Sequence, residues 1–475
     1  MDDGQVSPAP DAGTGANAER FLWIEERLAA ISPVGHTPAG VDRQILALAV
    51  PALGALVAEP LFVLVDSAVV GHLGTAPLAG LALASTVLIT VIGLCVFLAY
   101  ATTAAVARRL GSGDPAGALQ LGVDGMWLAL GLGLVLAVAT WLAAPWLIDA
   151  LGASDEVATQ AVTYLRWSAP GLPGMLLVLA STGALRGLLD TRTPLVVASV
   201  GAVGNAILNI VLVYGVGMGI AGSGLGTALT QVAMGIALSV VVVGGARKVG
   251  ASLGPAVGGI LANARAGVPL FVRTLSLRLA ILLTVVVATS LGPVPLAAHQ
   301  VVGAVWGLAA FALDALAIAA QALVGHALGA SDVRLVRTLL RRTLQWGVGA
   351  GAALGVVLGG LAWLYVPVFT SSEAVQHAAA GALVVAGLTM PMAGWTFVLD
   401  GVLIGAGDGR FLAWAGIGTL TVYVPCALAV QHASPPDAVA GLAWLWAAFA
   451  GVFMLARAVS TGLRARGSRW LVTGA

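Results

Sequence analysis

Residues 57–74, VAEPLFVLVDSAVVGHLG, carry two carboxylates, Glu59 and Asp66, in an otherwise apolar stretch. Seven residues make about two helical turns, so both acids fall near one face. A carboxylate taken out of water is costly unless it is paired or hydrogen-bonded. Burial also disfavours the charged form of a carboxyl group, so acids in such places suit reversible proton uptake. Proton uptake removes a charge and thereby changes which helix packing or ligand is favoured. Other polar residues recur in apolar runs. GNAILNI sets Asn205 and Asn209 one turn apart. FALDALAIAAQALVG holds Asp314 and, two turns further on the same face, Gln321; FVLDGVLIGAGD holds Asp400. His299, in AAHQV, is of the type that titrates near neutrality, with a hydrogen-bonded packing histidine as the other reading. Pro60 is expected to bend the helix beside Glu59.

The elements that position these groups must sit in lipid. Hydrophobic residues make up 59% of the chain and charged ones 9%, against about a quarter charged in soluble domains. A net charge of +1 excludes a nucleic-acid partner, which needs a basic face. Cys95 and Cys426 lie in separate apolar runs, with neither a disulfide framework nor metal-ligand spacing. No nucleophile–base set, metal constellation or nucleotide motif is present, so neither an enzyme nor a cofactor is expected. Residues 1–42 read as a tail, disordered and then, over ERFLWIEERLAAI (19–31), a helix that is either membrane-surface or solvated. Residues 463–475 read as a second tail.

A span needs about 20 mostly apolar residues. Breaking the chain at Gly, Pro and charge clusters places twelve, near 45–71, 77–107, 118–148, 157–185, 194–216, 221–245, 263–290, 295–327, 338–367, 374–404, 410–431 and 438–460. Arginine tests that count independently. The even-numbered connections and both tails hold the basic residues, including Arg108, Arg109, Arg186, Arg192, Arg247, Arg265, Arg341 and Arg410. The odd-numbered connections, such as GHLGTAP, LGPVP and HASPPD, hold none. By the positive-inside rule both termini are cytoplasmic.

The second half repeats the first at an offset of 218 residues: Val50-Pro51 returns as Val268-Pro269, LGSGD (110–114) as LGASD (328–332), and GALRGLLD (183–190) as GVLIGAGD (401–408). Six spans per half make the repeats parallel, related by a pseudo-two-fold axis along the membrane normal. The expected organisation is an N-lobe over 43–246, a linker over 247–262 and a C-lobe over 263–462. Repeat-built transporters bind substrate between their halves and work by alternating access.

The segments EPLFVLVDSAVVGHLGTAPLAGLALAS, RRLGSGD, LRGLLDTRTP, LGPVPLAAHQV and FALDALAIAAQALVGHALGA together resemble the multidrug and toxic compound extrusion (MATE) transporters, in their DinF-like branch, over about residues 43–460. The resemblance implies an all-α membrane fold of two six-helix lobes around a central cavity. It implies export of amphipathic, often cationic small molecules against inward proton or sodium flow. Asp66 matches the first-helix aspartate that family members use for coupling or substrate binding. Asn205 and Asn209 match a polar pair near it, and Thr182 and Thr227 match neighbouring polar positions. Where some relatives carry an aspartate in that pair this chain has Asn209, which leaves Asp66 as the one acid of the N-lobe site and favours protons over sodium. Asparagines that merely join helix to helix are the competing explanation.

At the repeat offset Glu59 corresponds to Leu277 and Pro60 to Arg278, so a Glu59–Arg278 ion pair across the cavity is one expectation and bonding within each lobe the other. Asp314 and Asp400 form either a second ion site, with Gln321 and His299 nearby, or pairs with Arg278. Arg166 and Asp124 read as packing or helix-end residues, and Pro173 and Pro391 as bend points. A lipid-linked oligosaccharide flippase of the same superfamily is the alternative function, one that would need a basic cavity. A major-facilitator transporter fits poorly between spans two and three. The expected setting is a monomer in a bacterial cytoplasmic membrane.

Overall fold

A computed structural model describes residues 37–433, 435 and 437–474, apart from the side chain of Glu59. The expected surface helix at 19–31 lies outside the described residues. Twelve helices long and apolar enough to cross a membrane follow in order: α1 Pro38–Gly71, α2 Thr75–Gly111, α3 Pro115–Asp149, α4 Asp155–Gly187, α5 Arg192–Gly215, α6 Ile220–Lys248, α7 Val257–Ser290, α8 Pro293–Gly329, α9 Val333–Gly360, α10 Glu373–Gly405, α11 Gly409–Ala433 and α12 Ala438–Arg466. Their starts follow local chemistry. Asp114 and Asp332 accept from the Gly117 and Leu335 amides at 2.8 and 2.9 Å, satisfying donors that a helix start leaves unpaired.

Several ends differ from the expected ones. α1 begins at Pro38, behind a Thr37 cap, so the first tail is shorter than 1–42. α7 starts at Val257, inside the expected linker, because VGGILANA continues a helical register. α1 remains helical through Pro51 and Pro60, and α10 through Pro391. Pro173 sits in the first turn after a 3-10 segment, Ala169–Gly171, where its missing amide costs nothing. α2 is interrupted at Val96.

The 218-residue repeat is legible in backbone geometry. Gly111 is pressed against the His326 carbonyl, and its counterpart Gly329 against the Arg108 carbonyl. Gly183 faces Ala99 as Gly401 faces Ala317, and Gly133 faces Pro173 as Gly351 faces Pro391. The last two pairs are related by a plain shift of that offset, while in the first the two partners exchange halves, as a two-fold relation requires. Even unusual backbone recurs. Gly113 (φ 81°) returns as Ser331 (φ 57°), and Leu189 (φ 61°) as Gly407 (φ 76°). Left-handed turns are easiest for glycine, so the turn survived where one copy lost it.

Packing divides accordingly. One buried cluster gathers residues from Val70 to Ala246, and another residues from Ala280 to Phe453. A third joins the halves, uniting α1 (Val41, Ile45, Leu48) with α8 (Ala319, Leu323, Ala327) and α9 (Val336). This junction lies at the arginine-bearing end. There Asp42 of α1 pairs with Arg342 and accepts from the Trp346 indole at 3.0 Å. Arg108 donates to the carbonyls of Ala406 (2.7 Å), Val472 (2.9 Å) and Gly474 (2.8 Å). The segment after α12 thus tucks under the seam, with Trp470 only 2% exposed.

A closure built on such close helix crossings cannot tolerate a larger side chain at its contact point. Gly111→Val is expected to hold the arginine-bearing end open. The check is thiol labelling of Ala107→Cys in a chain otherwise free of Cys95 and Cys426, which should be several-fold faster with the valine present. Equal rates would show that the crossing does not gate access.

Candidate functional site

Asp66 sits five residues before the end of α1 that faces away from the arginines, and it is buried at 5% exposure. Its Oδ1 accepts from the Asn205 amide at 2.8 Å and from Asn209. Its Oδ2 accepts from Thr227 at 3.1 Å and Tyr164 at 3.3 Å. Four helices therefore meet at one carboxylate: α1, α4, α5 and α6. Asn205 also faces the Thr230 hydroxyl at 3.5 Å. The Tyr214 hydroxyl donates to the Val69 carbonyl, tying a π-turn, Val211–Gly215, to α1 just beyond the acid.

All four donors to Asp66 are neutral, and among the described residues no basic side chain pairs with it. The Asn209 Oδ1 is buried without a hydrogen-bond partner. Rotating that amide, whose orientation is an assignment, presents an acceptor to the same carboxyl group. The cage can thus satisfy either protonation state.

Asn205, Asn209 and Thr227 are brought to Asp66 as the sequence led one to expect. Thr182 is not; it is buried on α4 without a bond to the acid, at the repeat position of Asp400. Tyr164 was missed. A tyrosine in a span is ordinary, and only its buried hydroxyl, 3.3 Å from both Asp66 and Thr227, reveals its part. The Glu59 side chain lies outside the described residues, so the Glu59–Arg278 pair has no geometry. Arg278 itself packs against Gly93 of α2.

The repeat operation carries Asp66 onto Thr284 and Asn205 onto Tyr423. These two hydroxyls are hydrogen-bonded at 2.6 Å in the C-lobe. The architecture of the contact is duplicated; the charge is not.

The C-lobe acids are elsewhere. Asp400 pairs with Arg273 at 2.6 Å and with Arg457, not with Arg278. Arg278 is one turn and a half from Arg273 along α7, which turns it away from α10. Arg273 lies 6.0 Å from the Tyr100 ring, and Arg457 lies 5.8 and 5.7 Å from Phe397 and Phe453. Asp314 is within electrostatic reach of Arg186, Arg273 and Asp400, and no hydrogen bond or ion pair holds it among the described residues. Three arginines and two aspartates leave this cluster a formal charge of +1. Gln321 donates to the Tyr100 carbonyl at 2.8 Å, joining the lobes rather than an ion site. His299 packs 5.7 Å from Trp446, with its Nδ1 unpartnered. Arg166 stacks over Trp141 at 5.0 Å, and Asp124 accepts from the Ala256 amide at 3.1 Å, ahead of α7.

Comparison with known proteins agrees with this architecture. The MatE family profile matches residues 51–214 and 269–429. Protein DETOXIFICATION 44, chloroplastic, of Arabidopsis thaliana is 32% identical over 79% of this chain and 74% of its own. DNA damage-inducible protein F of Escherichia coli K12 is 28% identical over 77% and 81%. Among solved structures, a MOP superfamily transporter from Pyrococcus furiosus superposes with a TM-score of 0.81 at 23% identity, covering 90% of this chain and 96% of that one. The bent form of the Vibrio cholerae MATE transporter VcmN gives 0.81 at 22%, over 90% and 98%. The chain belongs to the MatE family of multidrug and toxic compound efflux transporters.

Proposed function

We propose that this protein exchanges protons for amphipathic cationic compounds, with Asp66 as the group that both claim. The observation that carries the reading is the Asp66 cage: a buried carboxylate held by four neutral donors and, among the described residues, by no cation. Such a charge can be neutralised by a proton arriving or by a cationic ligand. Asp400 supports the contrast, since its two arginines already neutralise it.

The seam is closed at the arginine-bearing end, which the positive-inside rule makes cytoplasmic, and Asp66 stands in the opposite half. In this reading a proton from outside loads Asp66 and displaces a bound cation outward. The neutral cage then permits the lobes to rock, and the proton leaves on the cytoplasmic side. The protein works as a monomer in a cytoplasmic membrane with both termini inside, and it needs no cofactor beyond its coupling ion.

The flippase alternative asks for a basic cavity. Arg186, Arg273 and Arg457 answer in part, but Asp400 and Asp314 offset two of the three charges. The test is dye efflux from proteoliposomes under a proton or a sodium gradient. Proton-driven efflux of a cationic dye is expected. Efflux driven by sodium alone, through the oxygens of Asn205, Asn209, Thr227 and Tyr164, would overturn the coupling ion.

A further inference from the structure

In the C-lobe, α10 packs against both α9 and α12. A groove of about 690 Å³ runs along α9, lined by Arg337, Leu340, Arg341, Leu344, Val348 and Trp395 among others. Trp395 comes from α10 and stands against α12, its indole nitrogen 3.5 Å from where a Cβ on Gly462 would be. The volume is in the range of small-molecule sites.

The lining is graded by depth. Arg337 and Arg341 are exposed, one turn apart, at the arginine-bearing end of α9. Neither has an acidic partner among the described residues, unlike the neighbouring Arg342, which holds Asp42. Leu340, Leu344 and Val348 then continue toward the middle of the span, about 18 Å from Arg337 to Gly349 at 1.5 Å per residue. Gly349 leaves the deep part open, since a Cβ there would meet nothing within 4 Å.

Two cations at headgroup level above an apolar trough match one kind of molecule. The geometry points to an anionic phospholipid, its phosphate on Arg337 and Arg341 and an acyl chain along Leu340, Leu344 and Val348. Basic sites between helices on the cytoplasmic side bind such headgroups. The bound lipid adjoins the Asp42–Arg342 link between the lobes, so its occupancy bears on the closure that link secures.

Native mass spectrometry of the full-length protein in detergent, titrated with dioleoyl phosphatidylglycerol or dioleoyl phosphatidylcholine, tests this. With about 1 kcal/mol per basic residue, two arginines give the anionic lipid a preference on the order of 30-fold. Arg337→Gln with Arg341→Gln should abolish that preference, whereas Arg466→Gln with Arg469→Gln, on the same membrane side but off the groove, should keep it. Gly349→Phe, which fills the trough and spares the charges, should weaken both lipids. Equal losses in the two arginine pairs would mean general surface charge and overturn the site. Binding untouched by Gly349→Phe, or competition by soluble glycerol phosphate at the same concentration, would remove the lipid from the assignment. A shift to dimer mass on mutating Arg337 and Arg341 would make the face a protein interface and overturn it equally.

Discussion

Vesicles carrying the Asp66→Asn protein are expected to sustain no uphill efflux of a monovalent cationic dye, whatever the pH gradient. In the proposed cycle the proton is taken by Asp66, a buried carboxylate that no arginine pairs with among the described residues. One proton in for one monovalent cation out moves no net charge, so membrane potential drops out of the driving force. What remains is the pH gradient, about 1.4 kcal/mol per unit, which supports a dye gradient of about tenfold. Asparagine keeps the shape and accepts hydrogen bonds, but it neither binds nor releases a proton. The whole tenfold accumulation should vanish while downhill leakage of dye persists. A flow assay with valinomycin-set potentials checks both halves. Wild-type efflux that follows voltage, or Asp66→Asn vesicles that still concentrate dye, would remove Asp66 from the coupling step.

The second large effect is expected at Asp400. Replacing it by asparagine leaves Arg273 and Arg457 facing each other inside the C-lobe without their shared anion. Breaking a buried charge group in this way costs about 3–5 kcal/mol. Arg457→Met should cost less, because the Arg273–Asp400 pair survives as a neutral unit against aromatic rings. The thermal unfolding midpoint in detergent should therefore fall in the order wild type, Arg457→Met, Asp400→Asn. If Asp400→Asn is instead neutral for stability but fatal to transport, the cluster is part of the transport cycle rather than a brace.

Much of this architecture could be read in the residues beforehand, for physical reasons. Lipid forces long apolar helices, and the insertion bias of arginine marks every second connection, so the spans and their alternation were visible without coordinates. The duplication was visible because turns and crossings tolerate few residue types. The Asp66 partners Asn205, Asn209 and Thr227 were visible through the resemblance to the MATE transporters, whose polar positions they match; a hydroxyl in a span does not by itself imply a partner, since Thr86 and Thr90 bond carbonyls of their own helix. Tyr164 was hidden, since its ring suits lipid as well as a cage.

The Asp400 partners were hidden for a different reason. Arg457 looked like one more basic residue marking the cytoplasmic side, yet α12 continues to Arg466 and keeps Arg457 within the helix at 7% exposure. Arg278 attracted attention through the repeat offset, but pairing across helices depends on facing direction. Arg273 has that direction.

The hydroxyl pair Thr284–Tyr423 has a consequence for where charge can reside in this scaffold. At the repeat offset the other three donors to Asp66, Tyr164, Asn209 and Thr227, fall on Ala382, Ala427 and Leu445, all fully buried, so the second lobe keeps one polar contact and no socket for a carboxylate. Thr284→Asp would therefore bury an acid with a single hydroxyl partner, and the thermal unfolding midpoint in detergent should fall. Duplication thus left two lobes alike in backbone and unlike in where a charge can reside.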